Sequence, residues 1–201
     1  AVLLIKKYKY TAILPQVSDL IFRRNRKGLY IHDLVWSFFE AFEPNSLRLI
    51  ARYILSHDRR DVELACKLLH LPLPEDYSDY RTRQALHDNF ISWLGENSPY
   101  IIFTRQHFQQ TSEPEPLVLD DEARYLGKRV SPKSGEPLEP LTESEMQRLE
   151  DFRRAPSEEQ RLLAAFSAEM RRRNRQRWLD WLNKDLAQQV SIAKAEKGEF
   201  L

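Results

Sequence analysis

The fold is decided by residues 32–72, which have the sequence HDLVWSFFEAFEPNSLRLIARYILSHDRRDVELACKLLHLP. Apolar residues recur there every three or four positions, and this spacing puts them on one face of a helix. Pro44 separates a first helix from a second, and Asp58 can cap a third, which Pro72 ends because proline cannot continue a helix. Short connections between these helices predict helical hairpins packed as a small bundle.

The flanks of this stretch extend the helical pattern in both directions. A short helix is predicted over residues 16–26, and a longer one begins at Ser78 or Asp79, where a side-chain oxygen can cap it. No single period fits residues 1–15, so a strand, a helix or an extended arm all stay open for them. Together these elements predict a helical bundle domain over residues 1–98.

The character of the chain changes over residues 99–156, where prolines are frequent and apolar residues few. A long stretch without a clear helical pattern is unusual inside a compact domain. We therefore expect an extended arm or linker with little regular structure, lying on its own core or on a neighbour. The apolar run at 100–103 would be a strand or a buried extended piece, and the anchors of the arm would be Leu117–Leu119, followed by Tyr125 and Leu126. A short helix is expected over 143–152 after a cap at Thr142.

The helical pattern returns at Ser157, which can cap a helix that begins with acidic residues. Apolar residues then recur at four-residue spacing, and no proline or glycine intervenes before Gly198. The pattern predicts one long amphipathic helix over residues 157–197. The sequence as a whole predicts a mainly α fold: a small bundle, an extended proline-punctuated arm and a long C-terminal helix.

Composition limits the possible classes of protein. The chain has 201 residues, of which 42% are hydrophobic and 30% charged, as in ordinary globular proteins. The formal net charge of +1 implies no particular partner. The one cysteine, Cys66, cannot form an intrachain disulfide, which favours the cytoplasm or another reducing intracellular compartment. No apolar run approaches the length of a membrane span, so membrane insertion is not expected, and the apolar start is too short for a secretory leader.

Cys66 and His70 are four residues apart on the third predicted helix and could form a metal site or a nucleophilic Cys–His pair. The alternative is a buried thiol beside a histidine at the helix end, and we favour it because no second pair of ligands exists. An enzyme would need a pocket that gathers Cys66, His57, His87 or His107 with a carboxylate. No phosphate-binding loop or hydrolase motif is present. We therefore expect no enzymatic activity, no metal site and no cofactor.

The segment SPKSGEPL, residues 131–138, has the rhythm of a zinc knuckle. Ser131 and Ser134 stand where cysteines would be needed, so zinc binding of that kind is excluded. Two turns built on Pro132 and Gly135 are the better interpretation.

Two arginine clusters are the strongest charge features. In the second cluster the arginines fall all round a helix, so this segment cannot be buried in an ordinary core. Three interpretations stay open: a solvated spacer, pairing with carboxylates of residues 143–159 or of a partner, and binding to nucleic-acid phosphate. The candidate polyanion-binding residues are Arg23, Arg24, Arg26 and Lys27 in the first cluster, and Arg171, Arg172, Arg173, Arg175 and Arg177 in the second.

The leading functional hypothesis is a non-enzymatic structural or adaptor subunit of a larger assembly of like or unlike protein subunits. The C-terminal half has many apolar residues but no obvious body of its own in which to bury them. We therefore expect it to bind a neighbouring subunit. The alternative is a nucleic-acid-associated protein that uses the two arginine clusters. The residues expected to bind the partner subunit are Leu162, Phe166, Met170, Trp178, Trp181, Leu182 and Leu186.

Overall fold

The computed structural model describes residues 11–106, 110–111 and 114–196. These residues are mainly α-helical, with ten α-helices and one two-stranded sheet. The chain divides into two compact units, which we call unit 1, up to Val118, and unit 2, from Leu119. No helix in the described part of the chain combines the length and the apolar character needed to cross a membrane.

Unit 1 contains five α-helices and the sheet. Single 3₁₀ turns at Thr11–Ile13, Pro44–Ser46, Arg52–Leu55 and Ser98–Tyr100 join or extend them. Residues 1–10, for which several structures were open, lie outside the described residues. The helices are α1 (Leu14–Arg26), α2 (His32–Phe39), α3 (Leu47–Ala51), α4 (Arg59–Leu69) and α5 (Tyr80–Asn97), and the strands are β1 (Ile101–Phe103) and β2 (Leu117–Leu119).

The predicted helix starts of unit 1 are confirmed at two aspartates. The Asp58 carboxylate accepts a hydrogen bond from the backbone N–H of Arg60 (2.9 Å) at the start of α4. The Asp79 carboxylate accepts one from the N–H of Thr82 (2.9 Å) at the start of α5. Each carboxylate satisfies a helix N–H that has no partner within the helix, which is why the chain begins a helix there.

The helices of unit 1 enclose an apolar core. Val17, Ile21 and Phe22 of α1 are at most 2% exposed. Ile50 and Ile54 are completely buried with them. The Phe22 ring stacks on the Tyr53 ring, with centroids 3.6 Å apart. This core is the predicted bundle, formed because each helix buries the apolar stripe that the sequence places on one face.

A buried ionic network also ties these helices together. Asp61 is completely buried, and its carboxylate accepts hydrogen bonds from the Arg26 guanidinium and the Ser56 hydroxyl, both at 2.7 Å. Arg83 of α5 is 4% exposed and donates to the Ser56 carbonyl at 2.5 Å. A buried carboxylate without these partners would be strongly destabilising, so the network fixes how α1, α4 and α5 pack.

Unit 2 contains five α-helices, and the first two lie within residues 99–156. The prediction of an arm with little regular structure is therefore wrong for this region, which also contains both strands. The helix after Thr142 is confirmed, with the predicted cap: Thr142 and Glu145 form a reciprocal capping box. The helices are α6 (Asp121–Leu126), α7 (Glu143–Arg154), α8 (Ser157–Arg173), α9 (Arg175–Leu182) and α10 (Leu186–Glu196).

The segment between α6 and α7 contains the predicted turn. Gly135 has a φ of 75°, and its backbone N–H donates to the Ser131 carbonyl at 2.8 Å. An antiparallel bridge joins Val130 to Pro137 on either side. Glycine accepts this left-handed conformation without steric cost. SPKSGEPL therefore forms one turn that contains both Pro132 and Gly135, where two turns were predicted.

The prediction of one long helix over 157–197 is wrong, because the chain bends at Asn174 and again before Leu186. Asn174 has an extended backbone, and its side chain accepts a hydrogen bond from the N–H of Arg177 at 3.0 Å. Asp185 accepts one from the N–H of Gln188 at 2.9 Å. Short polar side chains of this kind cap a new helix, so a chain without proline or glycine can still change direction.

The bends let unit 2 build its own core. Tyr125 of α6 and Phe152 of α7 stack with their ring centroids 4.5 Å apart, and Trp181 of α9 lies edge-on to Tyr125 at 6.0 Å. Phe166 of α8 packs against the same indole at 5.3 Å. The expectation that the C-terminal half lacks a body in which to bury its apolar residues is therefore wrong.

Candidate functional site

The residues predicted to bind a partner subunit belong to the core of unit 2. Leu162 and Leu186 are half-buried and pack against it. The other five are at most 7% exposed. They were assigned to a partner because the C-terminal half had no obvious body in which to bury them, and the core of unit 2 removes that reason. The five buried residues are Phe166, Met170, Trp178, Trp181 and Leu182.

Hydrogen bonds within unit 2 satisfy both buried indoles. The Trp178 Nε1–H donates to the Ser167 hydroxyl at 2.8 Å, and that hydroxyl donates to the Tyr125 carbonyl at 2.6 Å. The Trp181 Nε1–H donates to the Gln189 carbonyl at 3.3 Å. The Tyr125 hydroxyl donates to the Gln189 side chain at 2.7 Å, and burial raises the pKa of this tyrosine. Indoles with internal hydrogen-bond partners are structural, because a buried N–H needs an acceptor to offset its desolvation.

Four of the five arginines in the second cluster are exposed at the junction of α8 and α9, and Arg171 is half-buried. Arg172 and Arg173 both pair with Glu169, and Arg177 pairs with Glu196 at 2.5 Å. Pairing with carboxylates was one of the three interpretations, but these two glutamates lie outside the acidic stretch at 143–159 that was expected to supply them. Of the other two members, Arg171 donates to the Gly127 carbonyl at 2.7 Å, and Arg175 is exposed.

Two residues of the first arginine cluster make contacts within unit 1. Arg26 pairs with the buried Asp61, and Arg24 donates to the Tyr30 carbonyl at 2.9 Å. Arg23 and Lys27 are exposed. Arg24 and Arg26 therefore tie the end of α1 to neighbouring segments of unit 1, and Arg23 and Lys27 stay at the surface.

A pocket in unit 1 is the site that the sequence did not predict. It lies between α2, the end of α4 and the chain that leads into β2, and its volume is about 380 Å³, within the range of roughly 300–1,000 Å³ typical of ligand pockets. We call it the α2–α4 pocket. Its lining residues are His32, Val35, Trp36, Phe39, Cys66, Lys67, Leu68, His70, Leu71, Pro72, Gln106, Pro114 and Pro116.

The sequence of α2 explains one wall of the pocket. His32, Val35, Trp36 and Phe39 have the spacing i, i+3, i+4 and i+7, so their side chains share one helical face. Val35 and Phe39 are buried, whereas Trp36 is half-buried. The stripe thus runs from the core of unit 1 to its surface.

The end of α4 forms the opposite wall. Cys66 and Leu68 are buried at the floor, and Lys67 and His70 are exposed at the rim. His70 has a φ of 54°, and the N–H of Leu71 donates back to the Cys66 carbonyl at 2.9 Å. Cys66 is therefore a buried thiol beside a histidine that ends its helix, which is the favoured interpretation from the sequence.

The third wall is formed by Gln106, Pro114 and Pro116, and one contact joins it to the end of α4. His70 Nε2 lies 3.0 Å from the Pro114 carbonyl oxygen. The N–H of Glu115 donates to the Gln106 side chain at 3.0 Å, and the N–H of Thr104 donates to the Pro116 carbonyl at 3.1 Å. Pro114 and Pro116 are buried and supply the apolar part of this wall.

The pocket is unsuited to nucleophilic chemistry. Burial raises the pKa of the Cys66 thiol to about 11, so the thiol is protonated near neutral pH, whereas a cysteine nucleophile acts as the thiolate. None of the lining residues is a carboxylate. Of the other histidines considered for an enzyme, His57 is exposed, His87 contacts Asp88 at 2.9 Å, and His107 lies outside the described residues. Within the described part of the chain, no three His, Cys, Asp or Glu side chains are placed to hold a metal ion.

Two further pockets lie in unit 2, with volumes of about 310 and 280 Å³. Charged residues of both signs line each of them. In the larger one Arg153 and Glu122 form an ion pair at 2.6 Å. In the smaller one Arg154 and Asp151 do so at 3.3 Å. The α2–α4 pocket differs from both because no carboxylate is among its lining residues.

The sequence contained a weak signal for the α2–α4 pocket. A tryptophan and a histidine lie on the same face of α2 as two core residues, and an aromatic residue at the edge of an apolar stripe often lines an interface. The sequence could not show that α4 and the segment before β2 leave a gap beside that face. No protein-family model, no curated protein sequence and no solved structure matches this chain.

Proposed function

We propose that the protein is a non-enzymatic adaptor in a larger assembly and binds a partner protein through the α2–α4 pocket. The observation that carries the proposal is an apolar pocket whose floor is buried and whose wall is formed by the half-buried Trp36. Such pockets hold the one or two anchor side chains that supply most of the free energy of binding in protein interfaces. The proposed partner-binding surface is therefore on unit 1, whereas the sequence placed it on the C-terminal helices.

The surroundings of the pocket favour a protein over a small molecule. Tyr30 is 54% exposed, and its ring contacts the ring of the lining residue His32, with centroids 4.5 Å apart. Leu29 and Leu73 are also exposed, and Leu73 follows the lining residue Pro72 in the chain. Apolar surface therefore extends beyond the cavity itself, as expected where a polypeptide continues on both sides of its anchor.

The chemistry of the pocket supports a binding role over catalysis. A protonated thiol, no lining carboxylate and a His70 ring engaged with a backbone carbonyl provide no nucleophile with an adjacent base. A free thiol at the pocket floor also suits a reducing compartment, where it would not be oxidised.

The pairing of the arginines argues against nucleic-acid binding as the main function. Three of the five arginines in the second cluster pair with carboxylates, and two members of the first cluster are held within unit 1. Phosphate would have to displace these partners, which lowers the free energy gained from each contact. The α2–α4 pocket needs no such displacement.

The proposal is tested by selecting peptides that bind the intact chain from a random displayed library, then measuring their affinity for two variants. Trp36→Ala removes the aromatic wall, and we expect a loss of affinity of about tenfold or more, as for an interface hot spot. Trp93→Ala is the matched control, because Trp93 is equally half-buried in unit 1 and stacks on Phe90 away from the pocket.

We expect the Trp93→Ala variant to bind the selected peptides within about twofold of the unchanged chain. Circular dichroism of both variants verifies that they fold. If the selection yields no peptide, or if the selected peptides bind the Trp36→Ala variant as tightly as the unchanged chain, the proposal is wrong.

A further inference from the structure

One residue separates two helices of unit 2 whose sequence favours a single helix. Asn174 lies between the end of α8 at Arg173 and the start of α9 at Arg175, and its φ of −153° and ψ of 101° are those of extended backbone. Any residue adopts this conformation without strain. The backbone of Asn174 therefore does not impose the bend, and contacts elsewhere in unit 2 favour it over a straight helix.

The hydrogen bonds around Asn174 are nearly those of a continuous helix. The N–H of Asn174 donates to the Met170 carbonyl at 2.8 Å, and the N–H of Trp178 donates to the Asn174 carbonyl at 3.0 Å. Both bonds have the spacing of an α-helix. Straightening would break the bond from the N–H of Arg177 to the Asn174 side chain and would add helical bonds for the N–H groups of residues 175–177. A change at one residue thus converts the bend into a straight helix.

The two helices that follow Asn174 are held together as one piece. The Gln189 side chain in α10 donates to the carbonyls of Leu182 at 3.3 Å and Lys184 at 2.8 Å. The Arg177 guanidinium in α9 pairs with Glu196 in α10 at 2.5 Å. These contacts lie wholly after Asn174, so α9 and α10 keep them when the chain straightens there.

The contacts that hold α9 on α8 join residues on opposite sides of Asn174. The Phe166 ring packs on the Trp181 indole at 5.3 Å, and further along α8 the Arg171 guanidinium lies 5.9 Å from the Trp178 ring. Later residues of α8 thus meet earlier residues of α9, so the two helices run in opposite directions. The same pairs form if a second copy of the chain supplies α9.

From this arrangement we propose that two copies of the chain exchange α9 and α10 by straightening at Asn174. In each copy α8 and α9 form one helix from Ser157 to Leu182, about 39 Å long. Two such helices lie antiparallel, so that α9 of each copy packs on α8 of the other with the contacts that it has within one chain. Such an exchange is a low-cost route to a dimer, because it reuses contacts that are already present. The partner is thus a second copy of the chain, and its binding does not involve the α2–α4 pocket.

The first test changes the balance between the bent and the straight form. Asn174→Ala removes the side chain that caps α9, and alanine has the highest helix propensity of all residues. We expect the dissociation constant of the dimer to fall by about tenfold or more relative to the unchanged chain, because each dimer contains two straightened positions. Size-exclusion chromatography with light scattering measures it. The buffer contains about 0.5 M salt, which screens the like charges that a straight helix sets one turn apart, such as Arg173 and Arg177.

The control, Arg175→Pro, favours the bend. Arg175 is exposed, and proline suits the first position of a helix, where the N–H that it lacks would have no partner within the helix. The residue before proline prefers the extended conformation that Asn174 already has. In a straight helix the same proline would lie in the interior and clash with the preceding turn. We therefore expect this variant to stay monomeric at concentrations at which Asn174→Ala is a dimer.

The second test distinguishes exchanged helices from simple association of two closed chains. The Lys194 ammonium of α10 pairs with the Glu159 carboxylate of α8 at 2.7 Å, and a carbodiimide can couple the two groups as an amide. Unlabelled chain and chain labelled with heavy nitrogen are unfolded together, refolded as a mixture and separated into monomer and dimer. We expect coupled Glu159–Lys194 peptides from the dimer to include pairs of one light and one heavy member, and those from the monomer to include none.

Three results would each overturn the exchange. They are the lack of a dimer of both the unchanged chain and Asn174→Ala at about millimolar concentration, a dimer of Arg175→Pro as stable as that of Asn174→Ala, and a dimer without mixed peptide pairs. If a substitution prevents folding, the isotope test on the unchanged chain decides alone, and a missing dimer or missing mixed pairs overturn the exchange. The adaptor proposal is tested separately, because Trp36 belongs to unit 1.

Discussion

At the scale of single residues, the buried polar groups show which side chains have a structural role. Ser167 joins the Trp178 indole to the Tyr125 carbonyl, and Asp61 joins Arg26 to Ser56. Ser167 thereby gives the buried indole N–H an acceptor, and two hydrogen bonds offset the burial of the Asp61 carboxylate. Cys66 differs from them, because burial raises the pKa of its thiol and no ionic partner lowers that pKa again.

The raised pKa of Cys66 predicts how stability depends on pH. Burial favours the protonated thiol and raises its pKa from 9.0 to about 11, so the folded state holds this proton more tightly than the unfolded state does. The resulting stabilisation is full below about pH 9 and is lost as pH rises towards about 11. We expect a decline of about 2 kcal/mol in the free energy of unfolding from this group.

The measurement is urea unfolding at several values of pH between about 8 and 11, in the unchanged chain and in Cys66→Ala. The variant cannot titrate at this position, so its stability should fall less steeply over the same interval, although its cavity lowers its stability at every pH. Parallel curves for the two proteins would show that the thiol does not hold its proton more tightly in the folded state.

At the scale of elements, helix caps decide where the chain turns. Asp58, Asp79 and Thr142 begin helices at the predicted places, because the oxygen of a short polar side chain can satisfy a free helix N–H. Asn174 does the same in the middle of a sequence whose helical pattern continues without proline or glycine. The Asn174 cap affects more than the start of one helix, because the bend brings α9 back onto α8 and buries Trp178.

Asn174 therefore provides a test at this scale. Replacing it by alanine removes the cap of α9, and we expect the free energy of unfolding to fall by about 1 kcal/mol. Asn174→Asp keeps a capping oxygen and should stay within about 0.5 kcal/mol of the unchanged chain. Chemical denaturation followed by circular dichroism measures both changes. Equal stability of the two variants would mean that the cap does not hold the bend.

At the scale of the whole molecule, the chain forms two units, and unit 2 has a core of its own. Because this core is built entirely from residues after Leu119, the segment 120–201 is expected to fold by itself. The isolated segment should have a helical circular dichroism spectrum and unfold cooperatively in urea. Phe152→Ala, which removes a completely buried ring, should weaken it by about 3–5 kcal/mol.

The control for this fragment is Met146→Ala. Met146 lies on the same helix, α7, but is 48% exposed, so its loss should cost less than about 0.5 kcal/mol. A segment that lacks cooperative unfolding, or that responds equally to the two substitutions, would show that unit 2 depends on the rest of the chain.

Much of the fold was predictable because its causes are local. The helices of unit 1 follow from apolar spacing and from caps at Asp58 and Asp79, all of which act within a few residues. The exposed arginines of the second cluster were also predictable, since charges all round a helix cannot be buried. The long helix over 157–197 was predicted wrongly because proline and glycine alone were treated as helix breakers, whereas Asn174 and Asp185 act as caps.

The candidate site was not predictable to the same degree. The predicted partner-binding residues were identified from an apolar stripe. Such a stripe indicates that one face of a helix is buried, but it does not show which segment or partner buries it. The residues of the α2–α4 pocket come from three segments, near His32, Cys66 and Pro114, whose proximity no local pattern encodes. The structure leaves Trp36 half-buried at the edge of this pocket, which the apolar stripe of α2 does not show.

The sequence by itself determined the helical class and the helix starts at Asp58, Asp79 and Thr142, because periodicity and capping are interactions between neighbours along the chain. It did not place the start at Ser157 correctly, since Ser157 is the first residue of α8 and its side chain does not cap the helix. Only the tertiary structure decided that Trp178 and Trp181 are buried within unit 2 and that a pocket opens beside Trp36. Burial depends on contacts between distant residues, such as the hydrogen bond from Tyr125 to Gln189, which lie 64 positions apart. The packing of whole segments therefore fixed which apolar faces are covered and which stay open to a partner.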